Sequence, residues 1–591
     1  MLQTFDVHRQ FADFFNNKKL EPFLYLLSKR FSEGHICLDL EDIDQEEIKE
    51  AGFREIPNPE TLSAENLIGK EGDYQPFIVW NNKLYMQRYF NYESLVSNKI
   101  KERIASEKDS DKQAIESKLI QLKTMLASLF PSDTLGKPDW QMMAAIMAVF
   151  NRFTIITGGP GTGKTTTVAK ILSLLLELNP NLKVALAAPT GKAAARMAES
   201  LKETASKSTI KLTEKAKILF AGLEPSTIHR LLGARPQEIY FKHNRENPIP
   251  HDLIIVDESS MIDIALFAKL LDAIKPGAEM IFLGDKDQLA SVEAGSLFGD
   301  LCTAQKQLNT FSPEKANFIN SILPEGKTKL PKENIKESTH PLFEHIIELQ
   351  HSYRFAAGGN IGVFSKAIIE NNSAVLKEFI QNPTEDIVIE TEPKDRTLMD
   401  FIKKYRDFME EKDIKKALNK LNNLRVLCAI REGKYGLYET NRKIEKYFRD
   451  QNLISITGTF YEHRPVIVTG NNYELGLYNG DIGIVRKDEK GKLKVWFEDA
   501  DGNLRGILPA FITAAETVFA MTIHKSQGSE FDHVFVQLPD FDNPILTREL
   551  LYTAVTRAKQ KVVVQGSEEI ILQTCEKRVK RGSGIAERFE N

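Results

Sequence analysis

Beyond about residue 118, short apolar runs alternate with longer stretches in which apolar residues recur every three or four positions. That alternation predicts strands joined by amphipathic crossover helices, hence parallel α/β sheets. Thr154–Thr157, Lys183–Ala187, Leu253–Val256 and Met280–Leu283 read as strands of one such unit. Arg425–Ile430, Thr517–Thr522, His533–Gln537 and Lys561–Val564 read as strands of a second, with a less regular polar stretch, Asn309 to Ser338, between the two. From Tyr461 to Phe511 the pattern changes to apolar strands separated by Asn479-Gly480-Asp481 and Asp501-Gly502-Asn503, the turn chemistry of a small all-β insert. Upstream, Phe11, Phe14, Phe15, Phe23, Leu24 and Leu27 predict amphipathic helices. Pro76–Trp80 and Leu84–Arg88 predict a hairpin around Asn81-Asn82-Lys83, and the charged stretch Lys101–Lys118 a linking helix. The expected layout is an α+β module over 1–115, a first α/β domain over 116–345, and a second over 346–591 that carries the β insert at 461–511.

Composition narrows the picture. A chain of 591 residues is too long for one core. Its 42% hydrophobic and 27% charged residues are ordinary for a globular protein, and no apolar run is long enough to span a bilayer. The stretch Met1–Arg30 mixes charges with apolar residues, unlike a secretory signal. Cys37, Cys302, Cys428 and Cys575 lie far apart, with no C-x-x-C pair. They are expected to be reduced, buried thiols of a cytoplasmic protein, not a disulfide or zinc framework. Net charge is −4, so any nucleic-acid binding must come from a local groove.

The sharpest chemistry follows Thr154–Thr157. There the chain reads Gly158-Gly159-Pro160-Gly161-Thr162-Gly163-Lys164-Thr165-Thr166, then an apolar helix. The glycines allow a tight backbone whose N–H groups point at phosphate oxygens, and the helix N-terminus adds partial positive charge. Lys164 is expected on the β- and γ-phosphates of ATP, and the Thr165 hydroxyl on Mg²⁺. Average residue frequencies give such a string by chance in roughly one chain of this length in fifty, before the flanking strand and helix are considered. A dinucleotide fingerprint fails, because the glycine spacing is wrong and the lysine would be unexplained. Asp257-Glu258 closes a buried strand, where a carboxylate contacts Mg²⁺ (Asp257) and another orients the attacking water (Glu258). A lone Asp there would simply cap a helix. Gln288, after the next strand, is placed to sense the γ-phosphate or hold the water.

Taken together, these motifs resemble those of superfamily 1 helicases, and most closely the RecD branch of RecBCD-type enzymes. The resemblance rests on Gly158–Lys170, Ala187–Met197, Ser226–Gly233, Val256–Asp263, Leu283–Gly295, Ser352–Phe355, Gly476–Gly483, Ala520–Phe531 and Leu546–Lys559, in the family's order. It implies two RecA-like P-loop motor domains with ATP between them, and an SH3-like identity for the β insert. It further implies that Gln141 reads adenine, Tyr353 stacks on the base, and Glu530 contacts the ribose. Arg354 and Arg557 would be arginine fingers from the second domain. Thr190, Thr227, His229, Thr522, His524 and Lys525 fall in motifs that touch the sugar–phosphate strand. Lys242-His243-Asn244-Arg245 would sit on a small hairpin near the duplex junction, though a charged solvated loop explains that run equally well. The implied activity is ATP-dependent 5′-to-3′ translocation on single-stranded DNA at duplex ends, in double-strand break repair and recombination. It would act as one subunit of a heterotrimer with RecB-like and RecC-like chains, the first 115 residues docking a partner.

Alternatives stay open at this point: a free-standing helicase of the same branch, a regulatory ATP-binding module that does not hydrolyse, or an RNA helicase. The residues after the motor motifs show no carboxylate–lysine nuclease constellation, so exodeoxyribonuclease V activity is expected only in the assembly.

Overall fold

The computed structural model describes residues 6–590 apart from 108, 132–135, 207–211, 236–237, 292, 356–358, 393–394, 473 and 500–501. Asp501 of the second expected turn therefore lies outside the described residues, as do residues 1–5.

Two parallel sheets form the body. The first has six strands in the order Ile346–Leu349, Phe153–Gly158, Glu279–Gly284, Leu253–Val256, Val184–Ala188, Ser226–Thr227. Its central strands Phe153–Gly158 and Leu253–Val256 are buried at every position because helices cover both faces. Ile156, Leu186, Ile255 and Ile281 face helices Trp140–Phe150 and Lys164–Leu178, while Phe153, Ile155, Ile254 and Met280 face helix Ile264–Ala273. The second sheet has the order Ile387–Glu390, Ala558–Gln565, Phe531–Gln537, Leu424–Cys428, Ala520–Thr522, again parallel throughout.

The small β unit is a five-stranded antiparallel sheet of Pro465–Val468, Ile482–Lys487, Leu493–Glu498, Leu504–Ile507 and Ala515–Thr517. Here the structure corrects one expected element. Thr517–Thr522 is two strands, not one: Ala515–Thr517 closes the small sheet, and Ala520–Thr522 joins the parallel one. The chain crosses between them at Val518, whose carbonyl is held by the fully buried Arg425 guanidinium.

The N-terminal sheet runs Cys37–Asp39, Lys83–Met86, Phe77–Trp80, Ile68–Gly69. Its hairpin turns on Asn81 and Asn82, both at positive φ (47° and 55°), as a tight two-residue turn requires. Lys83 is already in the strand, which ends at Met86, and Gln87 and Arg88 open a helix.

Three elements sit differently from the expected layout. Ile346–Leu349, expected in the second unit, pairs with the phosphate-loop strand of the first. Helix Gln87–Ala105, expected in the N-terminal module, buries Val96 and Ile100 in the first sheet's core, and its Arg103 donates to Ile274 O and Ala278 O. The C-terminal segment returns to the first half, with Ile585 and Phe589 in that same core. Arg588 Nε donates to Glu93 Oε2 at 2.9 Å, and both side chains are buried. The run 242–245 is a turn closed between Asn244 and Asn247, not a strand pair.

Candidate active site

The phosphate loop joins the C-terminal end of strand Phe153–Gly158 to helix Lys164–Leu178, where a parallel sheet presents its ligand sites. Gly161 and Gly163 have positive φ (76° and 81°). A Cβ on Gly161 would collide with Arg354, and one on Gly163 with the Gln141 amide, so glycine is required at both for two reasons. Lys164 Nζ donates to Gly158 O at 2.6 Å and Gly159 O at 3.2 Å. Gln141 Nε2 donates to Thr162 O at 2.9 Å, and its Oε1 accepts from the buried Lys170 at 2.9 Å, so the amide braces the loop.

Around this loop lies a cleft of about 200 Å³. Pro160 through Thr166, Arg196, Asp257, Glu258 and Gln288 form the wall contributed by the first half of the chain. Arg354, Glu530 and Arg557, from the second half, form the other. Glu258 has a φ of 52°, an unusual backbone for a glutamate. Burial, then the neighbouring Glu258, push the Asp257 carboxyl up to about 6. A bound cation would reverse that cost.

The second half reaches the loop through its backbone as well. Tyr353 N–H donates to Gly161 O at 2.8 Å, and Ser352 Oγ donates to Pro160 O at 3.0 Å. The Tyr353 ring remains 54% exposed beside the cleft. Arg354 Nη1 is buried without a hydrogen-bond partner among the described residues, the mark of a donor suited to an anionic ligand. Arg557 is held rigidly, its guanidinium donating to Thr553 O at 3.2 Å and Ser529 O at 3.1 Å.

Glu530, read from the sequence as a ribose contact, has its carboxylate engaged by Arg354 and by Arg196, with Lys559 Nζ at 3.6 Å. Burial alone would raise that carboxyl, but Arg196 and Arg354 outweigh it and hold it at about 2. Arg196 was not anticipated, because one arginine on an amphipathic helix carries no spacing signal.

The expected DNA contacts stand apart from this cleft. Thr190 follows strand Val184–Ala188 and Thr227 ends the parallel strand beside it; each caps the helix after it, accepting from Ala193 N and Arg230 N at 3.2 Å respectively. His229 lies edge-on to Phe241, and burial lowers its pKa. Thr522 ends the edge strand of the second sheet, its Oγ1 accepting from Lys525 N at 3.3 Å. Lys525 Nζ pairs with Glu516 at 2.7 Å, and His524 is lowered by burial.

The chain is 34% identical over 574 residues to the RecBCD enzyme subunit RecD of Mycobacterium tuberculosis, covering 94% of this chain and 89% of that one. The chain belongs to the RecD family of superfamily 1 helicases. The RecD subunit of Haemophilus influenzae is 35% identical over 80% of this chain and 75% of its own. The ATP-dependent RecD2 DNA helicase of Deinococcus radiodurans is 29% identical over 80% of this chain but only 57% of its own. Three family patterns match: the RecD N-terminal domain at 1–85, an AAA domain at 141–294 and a UvrD-like helicase C-terminal domain at 517–565. The RecD pattern thus stops at the hairpin, where helix Gln87–Ala105 turns into the first sheet's core. A solved Pif1 helicase superposes at a TM-score of 0.38, with 17% identity over 74% of this chain and 94% of the other, too loosely to carry an argument.

Proposed function

We propose that this RecD-family chain is the ATP-driven DNA motor of a RecBCD-type helicase–nuclease. It translocates 5′ to 3′ on single-stranded DNA from duplex ends, in the cytoplasm, alongside RecB-like and RecC-like subunits. The observation that supports this most is the single cleft lined by Lys164, Asp257, Glu258 and Gln288 from one half and Arg354 and Arg557 from the other. A module that only bound ATP would have no use for two cations brought by a second sheet.

In this reading Gly158 to Thr166 cradle the phosphates, Lys164 binds their terminal oxygens, Glu258 orients water, and Gln288 senses the γ-phosphate. Gln141 and Tyr353 flank the base. Arg354 and Arg557 stabilise charge on the transferred phosphoryl group, a contribution of roughly 10³–10⁵ in rate for such a finger. Glu530 holds the arginines in place. Thr165 and Asp257 are the oxygen donors that would hold Mg²⁺, a donor set suited to that hard cation. When bound, the ion neutralises phosphate charge. Thr190, Thr227, His229, Thr522, His524 and Lys525 grip the DNA backbone without reading sequence. Closing and opening of the cleft alternates that grip. The small antiparallel sheet is the SH3-like unit of the second motor domain, and the N-terminal module docks a partner.

Unwinding of forked duplexes with only a 5′ tail or only a 3′ tail, with and without the partner chains, tests this. The expected result is DNA-stimulated ATPase and unwinding from the 5′ tail. Unwinding from the 3′ tail alone, or ATPase stimulated by RNA and not by DNA, contradicts it.

A further inference from the structure

Asp285 to Leu289 is the loop that brings Gln288 into the cleft, and the second half of the chain clamps it from behind. Tyr552 Oη donates to Asp285 Oδ2 at 3.1 Å. The Leu289 amide donates to Thr553 Oγ1 at 2.9 Å, and Gln527 Nε2 donates to Leu289 O at 2.7 Å. Asp285, Gln288, Gln527, Tyr552 and Thr553 are all buried. The Gln288 amide donates to the same carboxylate oxygen, Asp285 Oδ2, at 3.0 Å. One oxygen therefore receives a hydrogen bond from the residue in the cleft and another from the opposite motor domain.

The clamp is tied to both jobs of the second half. Tyr552 lies on helix Arg548–Val555, directly before Arg557, and Gln527 follows Thr522, His524 and Lys525. A phenylalanine would fill the space of the Tyr552 ring equally well. A buried hydroxyl persists where its hydrogen bond offsets its desolvation, and here the partner is a buried carboxylate.

We infer that Tyr552 is a positioning residue for ATP hydrolysis, acting through Asp285 to set the Gln288 side chain in its working orientation only while the second motor domain is docked. Gln288 thereby answers to two inputs, the nucleotide in front of it and domain closure behind it. This rests on the reading of Gln288 given above.

The test is steady-state, DNA-stimulated ATPase of the full chain carrying Tyr552→Phe, Gln288→Ala, or both. Tyr552→Phe keeps the ring and its packing. It is expected to lower kcat about ten-fold with the KM for ATP changed by less than about two-fold, the rate equivalent of one hydrogen bond to a charged group. In the Gln288→Ala background the same substitution should cause no further loss, because the two act in series. A wild-type kcat for Tyr552→Phe, or losses that multiply in the double variant, overturns the inference while leaving the Gln288 reading intact. A wild-type kcat for Gln288→Ala overturns that reading, and this inference with it.

Discussion

Replacing Glu530 with glutamine removes one negative charge from a cluster in which Arg354 comes from the second half and Arg196 from the first. The carboxyl is moved from 4.5, its ordinary value, to about 2 despite burial that acts the other way. At 1.36 kcal/mol for each pH unit, that depression corresponds to about 3 kcal/mol favouring the folded, docked form. The sign follows from linkage. A depressed pKa stabilises fully above the unfolded value, near 4.5, and the contribution fades as pH falls toward 2. Glu530→Gln should therefore lower the melting temperature by about 5–10 °C at pH 7.5, taking a cooperative unit of a couple of hundred residues. The gap to the wild type should narrow below about pH 4.5, where the wild-type carboxyl itself begins to lose its charge in the unfolded chain. Differential scanning fluorimetry between pH 3.5 and 8 reads this directly. Equal melting at pH 7.5, or a gap of constant size down to pH 3.5, would refute the argument that Glu530 ties the two halves electrostatically.

Other consequences are simpler to read. Lys164→Ala should abolish ATPase and unwinding while far-UV circular dichroism stays unchanged, since the lysine's hydrogen bonds among the described residues go to the carbonyls of its own loop. Arg588→Met leaves Glu93 charged and buried, and should cost about 3–5 kcal/mol in stability by equilibrium unfolding. Burial already raises the Glu93 carboxyl, so that loss should be largest at alkaline pH and ease as pH falls and Glu93 takes up a proton. Lys525→Ala should weaken single-stranded DNA binding, measured by fluorescence anisotropy, and flatten its salt dependence by about one phosphate contact.

The cleft was legible from sequence because its chemistry depends on fixed local spacing. A phosphate loop must follow a strand and precede a helix, and an acidic pair must end a neighbouring strand. The parallel strands were legible because burial on both faces makes them apolar runs, as in Leu253–Val256. What escaped depends on long-range packing. Helix Gln87–Ala105 is polar on one face, and nothing local says that Val96 and Ile100 belong to the core of a sheet that begins some sixty residues later. The return of Ile585 and Phe589 to that core is equally silent, since it is set by the buried Arg588–Glu93 pair. Thr517–Thr522 reads as one β run, and only the separate partners at 465–468 and 424–428 split it. Arg196 and Tyr552 had no motif role assigned, because their contacts cross between halves of the chain.

The central claim is that groups from both sheets act on one nucleotide. Binding of ADP, and trapping of ADP with aluminium fluoride in the presence of single-stranded DNA, measured for wild type and for Arg354→Ala/Arg557→Ala, tests it most directly. The account predicts that ADP affinity barely changes while the transition-state mimic is no longer trapped. Trapping at wild-type strength in the double variant would contradict it.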